Sequence, residues 1–236
     1  MNRATSLPEI QSRLRSLASP ETARVLQGFF KTGPGQYGEG DEFLGIKVPM
    51  VRAVAKEFPV VNLDIALELL HSRFHEERLL AVLLLMRLFS AATAPERHSV
   101  FQAYLAHSAW INNWDLVDIS APHVVGAYLA GQARAPLYQL ARSASLWERR
   151  IAMVATLHFI RHNDFGDTLQ LAKLLLNDKE DLMHKASGWM LREVGKRDRA
   201  LLEAFLDRHG RSMPRTMLRY AIERFPEDLR QAYLRR

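Results

Sequence analysis

The residues with the most chemistry to offer lie in N-N-W-D-L-V-D-I-S-A-P, residues 112–122. Asn113 and Asp115 have ordinary work at a helix start, as a cap and as an acid in the first turn. Asp118 lies a turn deeper, beyond easy reach of capping. Trp114 precedes it by four residues, which puts indole and carboxylate on one helix face. Pro122 follows by four and has no N–H for the Asp118 carbonyl, so the helix bends or loosens there. Indole faces attract cations by about 0.5–2 kcal/mol, and a carboxylate beside them would hold a cationic ligand well. Two readings of Asp118 stand open: a group presented to a ligand, or half of a buried ion pair with Arg150. Trp114 and Trp189 have the same duality, as ligand contacts or as ordinary core aromatics.

Cations are plentiful downstream. Arg149 and Arg150 open the run R-R-I-A-M-V, and an arginine beside a groove suits bidentate contact with phosphate. Lys185, Arg192, Lys196 and Arg197 follow. The net charge of +6 is uneven: residues 1–118 hold 12 Lys and Arg against 13 Asp and Glu, and residues 119–236 hold 20 against 13. A basic half attracts polyanions, of which nucleic acid is the commonest, although the same excess can serve solubility alone.

Other chemistries lack their residues. The chain has no cysteine, hence no disulfide, thiolate metal site or cysteine nucleophile. His158 and His162 are four apart, as are His71 and His75, but neither pair carries the glutamate of H-E-x-x-H. There is no G-x-S-x-G, no dinucleotide fingerprint and no G-K-[ST] ending on the glycine-rich stretch 32–48. Glu39, Asp41 and Glu42 in that stretch could hint at a metal; a solvated loop leading into a docked F-L-G-I is the expectation. No metal and no cofactor are expected. No apolar run approaches the ~20 residues of a membrane span, and the M-N-R-A-T-S-L-P-E-I start lacks an apolar signal core, so a cytoplasmic protein is expected.

The elements that must position these residues are helices throughout. The 3.6-residue period predicts helices at 7–18, 20–31, 49–58, 63–72, 75–91, 94–107, 114–130, 136–144, 147–161, 164–177, 179–197, 199–209, 214–223 and 226–234. Pro20, Pro49, Pro95, Pro136, Pro214 and Pro226 sit near their starts. A weak internal repeat aligns Arg78, Asp115, Arg150 and Lys185, a spacing that suits stacked helix pairs. The expected fold is all-α, a curved solenoid of stacked antiparallel helix pairs of HEAT-like or ARM type, as a single domain over residues 1–236. In that register Asp118 occupies a position where sister helices carry Ala81, Met153 and Gly188. Trp114, Arg150, Asp118 and Trp189 fall at −1, 0, +3 and +4, within about 140° of helical arc.

Four stretches carry a family resemblance: F-L-G-I-K-V-P (43–49), N-W-D-L-V-D (113–118), E-R-R-I-A (148–152) and H-K-A-S-G-W-M-L-R-E (184–193). With them the chain resembles the AlkD-type DNA alkylation repair proteins, DNA glycosylases built from HEAT-like repeats. The resemblance implies a monofunctional alkylpurine DNA glycosylase of base excision repair, acting on N3- and N7-alkylpurines in double-stranded DNA, and a monomer. Asp118 matches the family's catalytic aspartate, Trp114 and Trp189 its groove tryptophans, and Arg150 its arginine near the lesion's backbone. Arg149 and Lys185 are added as further DNA contacts. The segment G-Q-Y-G-E-G-D-E before F-L-G-I departs from the aromatic-rich helix of the best-known members. Two other functions remain in view: a non-catalytic binder of damaged or branched DNA, and a protein-binding helical scaffold.

Overall fold

Proline and short polar caps set most of the helix starts. In a computed structural model, which describes residues 6–235, Pro8, Pro20, Pro49, Pro95 and Pro136 all lie in the first two helical positions, where the missing N–H costs nothing. Asn62 Oδ1 accepts from the Ile65 amide at 2.9 Å, and Asp198 Oδ1 from the Leu201 amide at 2.9 Å. Thr93 and Glu96 form a reciprocal capping box.

The described residues are helical apart from loops, 3-10 and π turns, and one isolated bridge between Glu42 and Phe74. The chain divides between Leu116 and Val117 into two compact units. None of the helices is long and apolar enough to cross a membrane, among the described residues.

In the first unit, α1 (Leu7–Arg15), α2 (Pro20–Phe29), α3 (Val48–Glu57), α4 (Leu63–Leu70), α5 (His75–Ala91) and α6 (Ala94–Ala106) lead to the start of α7 (Trp114–Ala121). The central element is α5, which packs on α3, α4 and α6. Leu79, Leu80, Ala81, Val82, Leu84 and Leu85 are all buried, so α5 is apolar around most of its circumference. Its first turn is the opposite: His75, Glu76, Glu77 and Arg78 are polar and buried. Glu76 accepts from three successive amides, Leu44 at 2.8 Å, Gly45 at 2.8 Å and Ile46 at 3.0 Å, and so holds the F-L-G-I segment. Glu77 takes the Arg15 guanidinium at 2.6 Å and the Gln11 amide at 3.0 Å. Gly45 has φ +83°, and a Cβ there would stand 2.0 Å from the Ser19 carbonyl oxygen; only glycine fits.

In the second unit, α7 ends at Ala121 and the chain continues as a π turn, Pro122–Gly126, into α8 (Ala127–Leu129). The loosening expected from Pro122 thus takes the form of wider pairing. Then come α9 (Ala135–Leu140), α10 (Leu146–Ala155), α11 (Leu157–Arg161), α12 (Gly166–Leu174), α13 (Asp181–Arg197), α14 (Arg199–His209), α15 (Arg215–Ala221) and α16 (Glu227–Arg235). The helix expected over 147–161 is broken at Thr156 into α10 and α11. Here α13 is central, packed on α10, α12, α14 and α15. Gly188 permits the closest approach: a Cβ would lie 2.5 Å from the Met217 carbonyl oxygen and 2.5 Å from Tyr220 Cβ, both on α15. Backbone cannot yield as a flexible side chain can, so Gly188→Ala is expected to destabilise by about 1–3 kcal/mol. A lowered urea midpoint at unchanged slope checks it.

Candidate active site

The second unit holds the ion pair that the sequence left as one of two readings. Asp118, in the fifth position of α7, meets Arg150 from α10 side on: Nε donates to Oδ1 at 2.9 Å and Nη2 to Oδ2 at 2.8 Å. The remaining terminal nitrogen, Nη1, donates to the Leu182 carbonyl of α13 at 2.5 Å. One guanidinium therefore ties three helices. Bidentate pairing fixes the plane of the carboxylate as well as its place. Both aspartate oxygens accept, so the group sits there as a carboxylate.

The pair is unevenly buried. The Arg150 side chain is 6% exposed and that of Asp118 18%. In the sister helices Ala81 is fully buried, as are both Ala152 and Met153, and Gly188 is buried too. Asp118 is half-buried where these positions are buried. Its carboxylate is neither sealed away nor released from its partner.

The other basic candidates have protein partners. Arg149 gives Nε and Nη2 to Asp178 at 2.6 and 3.2 Å, and Nη1 to the Ser143 and Ala144 carbonyls at 3.1 and 2.9 Å. It closes the turn before α10 and is 15% exposed. Arg78 does the same before α5, donating to the Ser72 and Arg73 carbonyls at 2.9 and 3.1 Å. Both are the fourth residue of their helix. The local geometry thus matches Arg78 with Arg149 and moves the repeat register by one from the Arg78–Arg150 alignment. Lys185 pairs with Asp181 at 2.8 Å and is 40% exposed. Trp189 is half-buried, and its indole N–H donates to Glu193 at 3.2 Å. Lys196 and Arg192 converge on the same carboxylate.

The first unit holds Trp114, at the start of α7. Its ring stacks on Phe30, with centroids 5.3 Å apart and planes 16° apart, and meets Phe29 edge-on at 6.0 Å. Phe30 stacks in turn on Phe43 at 5.0 Å, and Phe43 on the His75 ring at 4.6 Å. Phe30 also meets the His75 ring at 5.0 Å, and against these rings lies a polar cluster that sequence reasoning missed. His75 faces Asp41 through Nδ1 at 3.2 Å and Asp115 through Nε2 at 2.8 Å. Asp41 also receives Arg78 at 2.5 Å and Asn113 at 3.3 Å. The glycine-rich loop is therefore not solvated at Asp41, which is buried. Burial alone pushes the His75 ring toward neutrality, but the Asp115 charge and the bonds to both aspartates prevail and raise its pKa to about 9. Burial likewise works against the Asp41 charge; the His75 bond and the Arg78 charge overcome it and lower that pKa. Asp115 does more than serve a helix start: Oδ1 accepts from the Leu116 amide at 2.9 Å and Oδ2 faces His75. The pattern H-E-E-R offered one signal, four polar residues heading the apolar run Leu79–Met86. No group of three or more metal-ligating side chains forms among the described residues.

The family described as DNA alkylation repair enzyme matches residues 10–225. The chain belongs to that family. Among solved structures, a protein titled "Predicted DNA alkylation repair enzyme from Enterococcus faecalis" superposes with a TM-score of 0.68 at 17% identity, covering 89% of this chain and 97% of that one. The likeness shows that the all-α helical-repeat fold is shared. No curated protein matches the chain. Family membership gives this DNA alkylation repair protein a place in DNA repair and DNA as its substrate class.

Proposed function

We propose that the chain is a monofunctional DNA glycosylase that hydrolyses the N-glycosidic bond of cationic N3- and N7-alkylpurines in duplex DNA, as a cytoplasmic monomer of the AlkD type. The observation that carries this reading is the state of Asp118: a carboxylate clamped by Arg150 yet 18% exposed, where sister helices carry buried small or apolar residues. An alkylated purine of this kind bears a positive charge and is already a good leaving group. It needs no proton, so one carboxylate suffices where glycosidases usually need two. The C1′–N bond breaks, and its electron pair neutralises the departing base. The sugar is left oxocarbenium-like, and Asp118 stabilises that charge. Water then bonds to C1′ and gives its proton to Asp118 or to solvent.

In this reading Trp114 and Trp189 keep the ligand-contact role that the resemblance implies, each indole face favouring positive charge. Arg150 has a different task from the phosphate contact expected of it. Three of its nitrogens are committed to Asp118 and Leu182, so it aims the carboxylate. Phosphate contact falls to the more exposed cations of the basic half.

Excision tests the proposal. Duplex DNA containing 7-methylguanine is expected to lose that base without strand cleavage. If neither 7-methylguanine, 3-methyladenine nor a bulkier cationic adduct is released, the glycosylase reading fails and the damaged-DNA binder takes its place. Duplex affinity is expected to fall steeply with salt, as displaced counterions require; a flat salt dependence favours the protein scaffold.

A further inference from the structure

The cluster around His75 has no part in the reaction as described, yet it is built around a charge. A neutral imidazole has one donor and one acceptor nitrogen. Here both ring nitrogens face aspartate oxygens, Asp41 at 3.2 Å and Asp115 at 2.8 Å. Only the imidazolium satisfies both. The charges then balance: Asp41 and Asp115 against His75 and Arg78, with Asn113 donating to Asp41. Each partner comes from a different part of the first unit: Asp41 from the glycine-rich loop, Arg78 from α5 itself, Asp115 from the first turn of α7. The His75 ring stacks on Phe43 at 4.6 Å and meets Phe30 at a tilt at 5.0 Å, and Phe30 stacks on Trp114.

We infer that His75, as a buried imidazolium, is a positioning residue that holds Trp114 and the first turn of α7 in the arrangement the substrate meets. The inference rests on the glycosylase reading for what Trp114 does, but not for the charge or the coupling. Loss of the proton would turn a donor into a lone pair facing a carboxylate. The cluster would open, and Phe30 and Phe43, which hold Trp114, would lose the ring they pack on. Because the folded pKa, about 9, lies above the ordinary value of 6.5, the contribution is complete below pH 6.5 and is lost as pH rises through about 9.

The test uses the full chain and two variants, Asp115→Asn and His75→Gln. Nitrogen-15 spectra are expected to show both His75 ring nitrogens protonated at about pH 8, where ordinary histidines are neutral. The Asp115→Asn change is expected to lower the midpoint of that titration by about one unit or more. The Trp114 indole N–H resonance, assigned by its loss in Trp114→Phe, is expected to move with the same midpoint in each protein. Single-turnover release of 7-methylguanine is expected to decline along the same alkaline limb, shifted alike in Asp115→Asn, and to fall about tenfold or more in His75→Gln, of the order that displaced positioning groups cost. A neutral His75 ring at about pH 8, or a Trp114 resonance indifferent to its titration, overturns the inference even if bases are released. Absence of release with both spectroscopic results intact overturns the glycosylase reading and leaves the coupling of His75 to Trp114 standing.

Discussion

On the proposed glycosylase reaction, Asp118→Asn is expected to lower the single-turnover release of 7-methylguanine by about 10²–10³-fold, the range found when one electrostatic stabiliser of a transition state is removed. Duplex affinity stays near that of the parent, because contact with phosphates does not pass through this carboxylate. The asparagine keeps the shape but offers one acceptor oxygen where Arg150 engages two. It also leaves a guanidinium that is 6% exposed without a counter-charge. The variant therefore melts at a lower temperature, and rates must be compared well below its transition. Release at the parental rate from a folded Asp118→Asn protein would remove the carboxylate from the reaction.

Arg150→Ala costs about 3–5 kcal/mol of stability, the usual result of taking one partner from a buried ion pair. Partial solvation of Asp118 draws the figure toward the lower end. Two groups lose their donor at once, the Asp118 carboxylate and the Leu182 carbonyl. Arg150→Lys restores the charge but not the fork, so it recovers little of the loss. A double-mutant cycle by urea unfolding isolates the pair: with Asp118→Ala already present, Arg150→Ala costs markedly less than alone. Additive effects would mean that the two side chains are held independently. On the proposed reaction, base release is expected to fall in Arg150→Ala as well, since the carboxylate loses the clamp that orients it.

The helical pattern, the proline starts and the departure at Asp118 were legible because they depend on neighbours within one or two turns. Asp118 also pointed to Arg150, since a charge inside an amphipathic helix needs a partner and the repeat supplied one. Other features depend on distance along the chain. His75 meets residues 34 and 40 positions away, and nothing local marks it as charged. The same holds for Asp41, whose glycine-rich surroundings suggested solvent while its partners lie on other elements. Arg149 and Arg150 are adjacent and alike in type; only the carbonyls at the end of the previous turn decide which closes the loop and which reaches Asp118. The break at Thr156 left no mark in the apolar periodicity, which continues through it.

Glu76 has a consequence for how this chain can vary. The stretch 41–46 owes its order to α5, through Asp41 on Arg78 and three amides on one glutamate. The stretch 33–37 owes its own to short turns, with Gly35 in the left-handed region, while Gly38 is buried and donates its amide to the Lys31 carbonyl at 3.1 Å. A single connecting segment thus contains one part that depends on the helix behind it and another that does not. Length and composition can drift over residues 33–37 at small cost to the fold, whereas Gly38, where a Cβ would lie 2.4 Å from the Phe30 carbonyl oxygen, stays fixed with the inner part.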